Sequence, residues 1–201
     1  MRNRITIIIA FLICSTSIYS QTKFGAVLGL NSSRFTDEFK TVNGSYFNLS
    51  SVGLSIGAFA EFGITEKIKF YPKITYNQMG DREKDFGNIE GRGIDASTID
   101  YKLDYLSIPL NFKFFSKPYL TVGPQIGLLI SEKAESVNLG DIKTSVDLGG
   151  NFGVGYPIQD FRIELNFYQG FSTLLEIERE FYNDIDARNT YVNFSLGYII
   201  K

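Results

Sequence analysis

From Val52 to Phe62 the chain alternates without interruption: Val52, Leu54, Ile56, Ala58, Ala60 and Phe62 are separated by Gly53, Ser55, Gly57, Phe59 and Glu61. A period of two puts the two sets on opposite faces of a strand. Strands of soluble domains average about five or six residues. A strand that crosses a bilayer needs about 9–11. The 11-residue run is of the second kind.

The pattern recurs along the chain. Ile68, Phe70, Pro72, Ile74 and Tyr76 alternate with Lys69, Tyr71, Lys73, Thr75 and Asn77. Leu106, Ile108, Leu110, Phe112 and Phe114 enclose Ser107, Pro109, Asn111 and Lys113. Leu120 to Ile130, Val146 to Tyr156, Phe161 to Tyr168 and Val192 to Ile200 repeat it, and residues 24–31 supply a first strand. The total is eight, an even number. Connections near 33–50, 80–98, 132–142 and 173–189 are long, and those near 63–67, 115–118 and 157–160 are short. Outer-membrane barrels join strands by short periplasmic turns and long extracellular loops. The expected fold is therefore all-β, an eight-stranded antiparallel up-and-down transmembrane β-barrel with both ends of the chain on the periplasmic side.

Two further features fit that fold. Gly53, Gly57, Gly123, Gly127, Gly149, Gly153, Gly155 and Gly197 lie on the polar faces, where a narrow lumen needs small residues. Phe62, Phe114, Phe115, Tyr119, Tyr156, Phe161 and Tyr198 collect at the short-turn ends of their strands and are expected to form an interfacial girdle. Pro72, Pro109 and Pro124 each cost a ladder donor, for which bulges are one remedy. In the fourth strand Tyr101, Leu103 and Tyr105 are out of phase with the apolar positions that follow. A bulge near Tyr105 or Leu106 is the simplest account.

Composition agrees. Apolar residues make up 44% of the 201, and no 18-residue apolar run is present to form a membrane helix. Arg2 and Arg4 precede the ten apolar residues Ile5 to Cys14, too few to span a bilayer, and a polar stretch follows to Ser20. This reads as a cleaved signal peptide, residues 1–20, ahead of a barrel domain at 21–201. Cys14 is the single cysteine, so the mature chain has no thiol chemistry. Removing two arginines takes Lys+Arg from 20 to 18 against 22 Asp+Glu, a net charge of −4. Nucleic acid is a poor partner for that balance. Histidine is absent, which excludes Ser-His-Asp catalysis, imidazole bases and His-ligated metals.

Tyr105-Leu-Ser-Ile-Pro-Leu110, Pro118 to Gly127, Asp147 to Tyr156 and the closing Val192 to Tyr198 resemble the PorT-like outer-membrane β-barrel family of Bacteroidota. The resemblance covers residues 23–201. It implies a small barrel in the cell outer membrane, inserted by the barrel-assembly machinery, and its namesake is associated with protein secretion. The family usually ends on an aromatic residue, where this chain has Ile200 and Lys201.

Six charged residues occupy polar-face positions: Glu61, Lys73, Lys113, Asp147, Arg162 and Glu164. They are candidates for a polar network in the lumen, acting as a salt-bridged plug, a proton or solute path, or a binding pocket. Gly149 to Gly155 lacks the Lys-Ser/Thr of a phosphate loop, and lumen-facing small residues explain it. Asp81, Glu83, Asp85, Glu90, Asp95, Asp100, Asp184 and Asp186 gather in the long connections. They are read as a solvated surface, with Ca²⁺ or bridging to lipopolysaccharide phosphates as the alternative. Asn48-Leu49-Ser50 is a chance glycosylation match. No cofactor, catalytic residue or metal site is expected. The leading function is a non-enzymatic barrel with a structural, interaction or secretion-support role. Its partners would be outer-membrane lipid, lipopolysaccharide and other envelope proteins. The alternatives are a lipid-modifying enzyme without His, a narrow solute pore and a soluble lipocalin-like barrel.

Overall fold

The computed structural model describes residues 22–37, 40–41, 51–83, 99–134, 143–177 and 185–200. The signal peptide, Asn48 to Ser50, Asp85, Glu90, Asp95, Asp184 and Lys201 lie outside them. Eight long strands make the wall: β1 (Lys23–Asp37), β3 (Ser51–Gly63), β4 (Ile68–Glu83), β5 (Ile99–Phe114), β6 (Tyr119–Ala134), β7 (Val146–Ile158), β8 (Phe161–Gly170) and β10 (Ile185–Ile200). Two short pieces, β2 (Lys40–Thr41) and β9 (Leu175–Ile177), extend β1 and β10 at the long-loop rim. Asp81, Glu83, Asp100 and Asp186 thus belong to strands rather than to connections.

Each strand pairs antiparallel with the next, and β1 pairs with β10 from Phe24–Ile200 to Thr36–Arg188. That last ladder closes the sheet. Closure is required because no water in a lipid core can satisfy a free strand edge.

Alternation decides which way each side chain points. Leu28, Ile56, Ile74, Leu148, Phe152, Leu165 and Leu196 are exposed on the outside, whereas Asn31, Ser55, Asn77, Asn111, Asn151, Asn166 and Ser195 are buried within. Outward apolar residues run from Val192 to Ile200 in β10 and from Val146 to Ile158 in β7. At about 3.4 Å per residue and a tilt near 40°, these spans are roughly 20 and 30 Å, which bracket the usual apolar band of about 25 Å.

Three sequence expectations are corrected. The prolines create no bulges. Pairing skips Ala60–Glu61 opposite Tyr71–Pro72, Lys73–Ile74 opposite Ile108–Pro109 and Leu110–Asn111 opposite Gly123–Pro124, then resumes in the same register. The sheet gives up local bonds and keeps its alignment. Second, β5 has no phase change. Leu103 and Tyr105 face inward in step with Ser107, Asn111 and Lys113, and the extra residue lies in β6, where Ile130 is skipped between the pairs Asp104–Ser131 and Tyr105–Leu129. Third, Tyr119 is fully buried inside. The other six girdle aromatics remain at least partly exposed, with Phe161 packed on Tyr198 at 5.1 Å and Phe62 on Phe70 at 6.2 Å.

A charge on the lipid face tests this arrangement. Ile56→Lys and Leu148→Lys should each lower the unfolding free energy by about 2–4 kcal/mol. Urea titration of vesicle-inserted protein, read by heat-modifiable gel migration, measures the loss. Unchanged insertion of both variants would put the apolar face elsewhere.

Candidate functional site

The lumen is filled in layers. Nearest the short turns, Glu61 sits on β3 and receives three cations from three other strands. Lys69 Nζ lies 2.7 Å from Oε1, and Lys113 Nζ and Arg162 Nη2 lie 2.9 and 2.7 Å from Oε2. Glu164 on β8 is the second centre. Its Oε1 accepts from Tyr71 and Tyr119 hydroxyls at 2.8 and 2.7 Å, and Oε2 pairs with Lys73. Both carboxylates are almost wholly buried, at 1% and 3% exposure.

Four cations face two carboxylates in this layer, and ring faces supply part of the balance. The Arg162 guanidinium lies 4.7 Å from the Phe59 centroid and 5.4 Å from that of Tyr71. Lys113 Nζ stands 3.9 Å from the Tyr119 ring. A ring's negative face attracts a cation, by about 2 kcal/mol or more once water is excluded. Tyr119 thus serves twice, donating to Glu164 and covering Lys113.

The middle layer is mostly carboxamide. Asn193 Nδ2 donates to Asn31 Oδ1 at 2.8 Å, and Asn31 Nδ2 donates to Asn77 Oδ1 at 3.2 Å. Across the barrel, Asn111 donates to Asn151, Asn151 donates to Gln125, and Tyr191 donates to the same Gln125 oxygen at 3.0 Å. Between them is a cavity of about 20 Å³ that includes Lys73, Thr75, Asn111 and Asn166 in its lining, room for about one water. At the long-loop end apolar side chains join the interior, with Phe35, Met79, Leu103, Leu174 and Ala187 all buried.

Of the six charged residues singled out from the sequence, five converge. Glu61, Lys113 and Arg162 form one group, Lys73 and Glu164 the other. Asp147 stands apart, near the long-loop end, where Oδ2 accepts from Asn189 Nδ2 at 3.0 Å. Tyr71 and Lys69 were not singled out, and Tyr119 was expected in the girdle rather than in this network. Parity had marked Tyr71 and Lys69 as inward, but their aromatic and boundary positions gave no sign that they would meet Glu164 and Glu61. Among the described residues, no group of His, Cys, Asp and Glu has the geometry to hold a metal ion.

A closed eight-stranded antiparallel barrel with lipid-facing apolar walls and a filled polar lumen defines a small integral membrane barrel. Residues 19–176 match the family described as outer membrane protein beta-barrel domain, and the chain belongs to that family. It is a protein of the outer membrane. A crystal structure of Neisserial surface protein A is similar over 89% of this chain and 98% of that one, with 14% identity and a TM-score of 0.52. The attachment invasion locus protein Ail of Yersinia pestis aligns over 90% of this chain and 99% of its own, with 13% identity and a TM-score of 0.47. At 14% identity the likeness to Neisserial surface protein A is one of fold. No curated protein matches the chain by sequence.

Removing one partner from a buried ion pair costs about 3–5 kcal/mol, because the other charge is left uncompensated. Glu61→Gln, which strands three cations, should lose at least that much in urea unfolding. Glu61→Gln combined with Lys113→Met should recover part of it. A Glu61→Gln barrel as stable as wild type would mean that the cluster carries no structural load.

Proposed function

We propose that this protein is a non-enzymatic outer-membrane barrel that acts through its rims, in envelope integrity, adhesion or support of protein secretion. The observation that carries this reading is the filled lumen. Side chains from opposite walls meet across the axis, and the cavity between them holds about one water. With the interior occupied, the surfaces left for partners are the two rims and the outer wall.

The rims differ in kind. At one end the strands are joined by residues 64–67, 115–118 and 159–160. At the other they continue past the apolar belt into long connections. The likeness of the segments from Tyr105, Pro118, Asp147 and Val192 to PorT-like barrels of Bacteroidota supports secretion support as the finer role. The partners under that reading are other envelope or secretion proteins, with insertion by the barrel-assembly machinery. A lipid-modifying enzyme is disfavoured because histidine is absent and because the clustered charges Glu61, Lys113, Arg162 and Glu164 are sealed inside, away from lipid.

Purified barrel in planar bilayers should give no steady conductance, and large stable openings would return the pore reading to the lead. In the native host, deletion of the gene should reduce secreted protein, adhesion or detergent resistance. A deletion strain unaltered in all three would overturn the rim-based function.

A further inference from the structure

The charged layer at the short-turn end does not balance. Lys69 keeps 24% of its side chain exposed and meets water at the mouth of the barrel. Lys73, Lys113 and Arg162 are buried, and so are Glu61 and Glu164, the two carboxylates they pair with. Three sealed cations therefore share two sealed carboxylates. Asp147, the other buried carboxylate among the described residues, bonds Asn189 near the far end of the lumen. Both shared acceptors are fully engaged. Glu61 takes Lys69, Lys113 and Arg162, and Glu164 takes Lys73, the Tyr71 and Tyr119 hydroxyls and a longer bond from Asn166 at 3.5 Å. Ring faces attract the cations, but a ring has no net charge. One sealed positive charge is left over, and charge held away from water without a partner is costly.

The surplus has a definite place. A guanidinium carries five N–H donors and no acceptor. Arg162 Nη2 is committed to Glu61 at 2.7 Å, whereas Nε and Nη1 make no hydrogen bond, although the side chain is 3% exposed. The hydroxyl of neighbouring Tyr71 is directed to Glu164 instead.

Room lies beside these donors. Arg162 is paired with Gly197 across the β8–β10 ladder. A Cβ on Gly197 would come no nearer than 3.2 Å to any residue beyond its chain neighbours, whereas one on Gly25 would stand 2.2 Å from the Phe59 ring. What surrounds that point is the Phe59 ring edge, through Cε1 at 3.2 Å, the Arg162 stem at 3.6 Å and the Ala26 carbonyl at 3.7 Å. The edge of an aromatic ring is the positive part of its quadrupole. Phe59 thus turns its face to the guanidinium, 4.7 Å from the centroid, and its edge to the space over Gly197.

We propose that Arg162 holds one halide ion between its free Nε–Nη1 edge and Gly197. A donor-only edge, a surplus positive charge and a ring edge all select an anion. Water would satisfy the N–H groups and leave the charge standing. Sulfate or phosphate would bring more charge than the surplus and more bulk than the space over a glycine accepts. A single monovalent ion cancels a single surplus charge. The site is independent of the rim-based function, and it makes the stability of the barrel depend on chloride.

Two measurements on the full-length barrel in neutral detergent test the site. Crystals grown in sodium bromide should show an anomalous peak beside Arg162 and Gly197, and a water or no peak at that point would overturn the proposal. The second is urea unfolding at constant ionic strength, with chloride exchanged for gluconate. A ligand of the folded state alone stabilises it in proportion to its occupancy, so above the dissociation constant each tenfold rise in chloride should lower the unfolding constant about tenfold. Arg162→Lys keeps a charge beside Glu61 and removes the free edge. Lys113→Met removes the surplus charge and leaves Arg162 in place. Both should unfold without chloride dependence, while Lys67→Gln, in a short turn, should keep the wild-type slope. Heat-modifiable migration verifies that each variant is folded. If neither interior variant assembles, the bromide map and the wild-type slope decide the matter. Wild-type unfolding indifferent to chloride, or the same slope in every variant, would sink the idea.

Discussion

A backbone that crosses lipid must pair every N–H and C=O with itself, and the rest of this structure follows from that demand. Closing the sheet through the β1–β10 ladder satisfies it around the whole circumference. Closure also explains why the three prolines shift no register. In a closed barrel each strand's alignment is fixed on both sides, so a slip at Pro72 would have to be carried around all eight strands. Losing a few local bonds at Pro72, Pro109 and Pro124 is the smaller cost. Their gaps accordingly fall on three successive ladders, β3–β4, β4–β5 and β5–β6.

Closure at eight strands also dictates the interior. The wall encloses only enough width for side chains to meet, and polar residues that meet without water must satisfy one another. Hence the sharing of acceptors: Glu61 serves Lys69, Lys113 and Arg162, and Gln125 Oε1 serves both Asn151 and Tyr191. Excess positive charge at the short-turn end is tolerable because Phe59, Tyr71 and Tyr119 turn ring faces toward it. Inward glycines belong to the same packing. At Gly155 a Cβ would stand 2.2 Å from the Tyr119 ring, so the ring that covers Lys113 fits only beside a glycine.

The fold was legible in the sequence because alternation and strand length both report the membrane directly. Parity alone placed Glu61, Lys73, Lys113, Asp147, Arg162 and Glu164 at inward positions. Their pairing was not legible, since Glu61 and Lys113 lie on strands that are not neighbours and their meeting depends on the barrel's width and stagger. Tyr119 was assigned to the girdle because an aromatic at a strand end is an ordinary interfacial residue. Only its phase, opposite to that of Leu120 and Val122, marked it as inward.

The misplaced bulge has a physical cause that bears on the outer wall. Along β5, Phe112 and Leu106 face out, then Asp104 and Lys102 do, while inward positions change from Lys113 and Asn111 to Tyr105 and Leu103. The strand keeps its phase. What changes is the solvent outside it. Within the belt the outside is lipid and the inside is polar, whereas beyond it, along β4 and β5, the outside is polar and the inside takes up Met79, Leu103 and Tyr105. The same exchange occurs in β4 between Tyr76 and Met79. A reversal of hydrophobic parity within a continuous strand therefore marks the membrane surface. Along β5 and β6 that exchange falls between Leu106 and Asp104 and between Ile130 and Ser131.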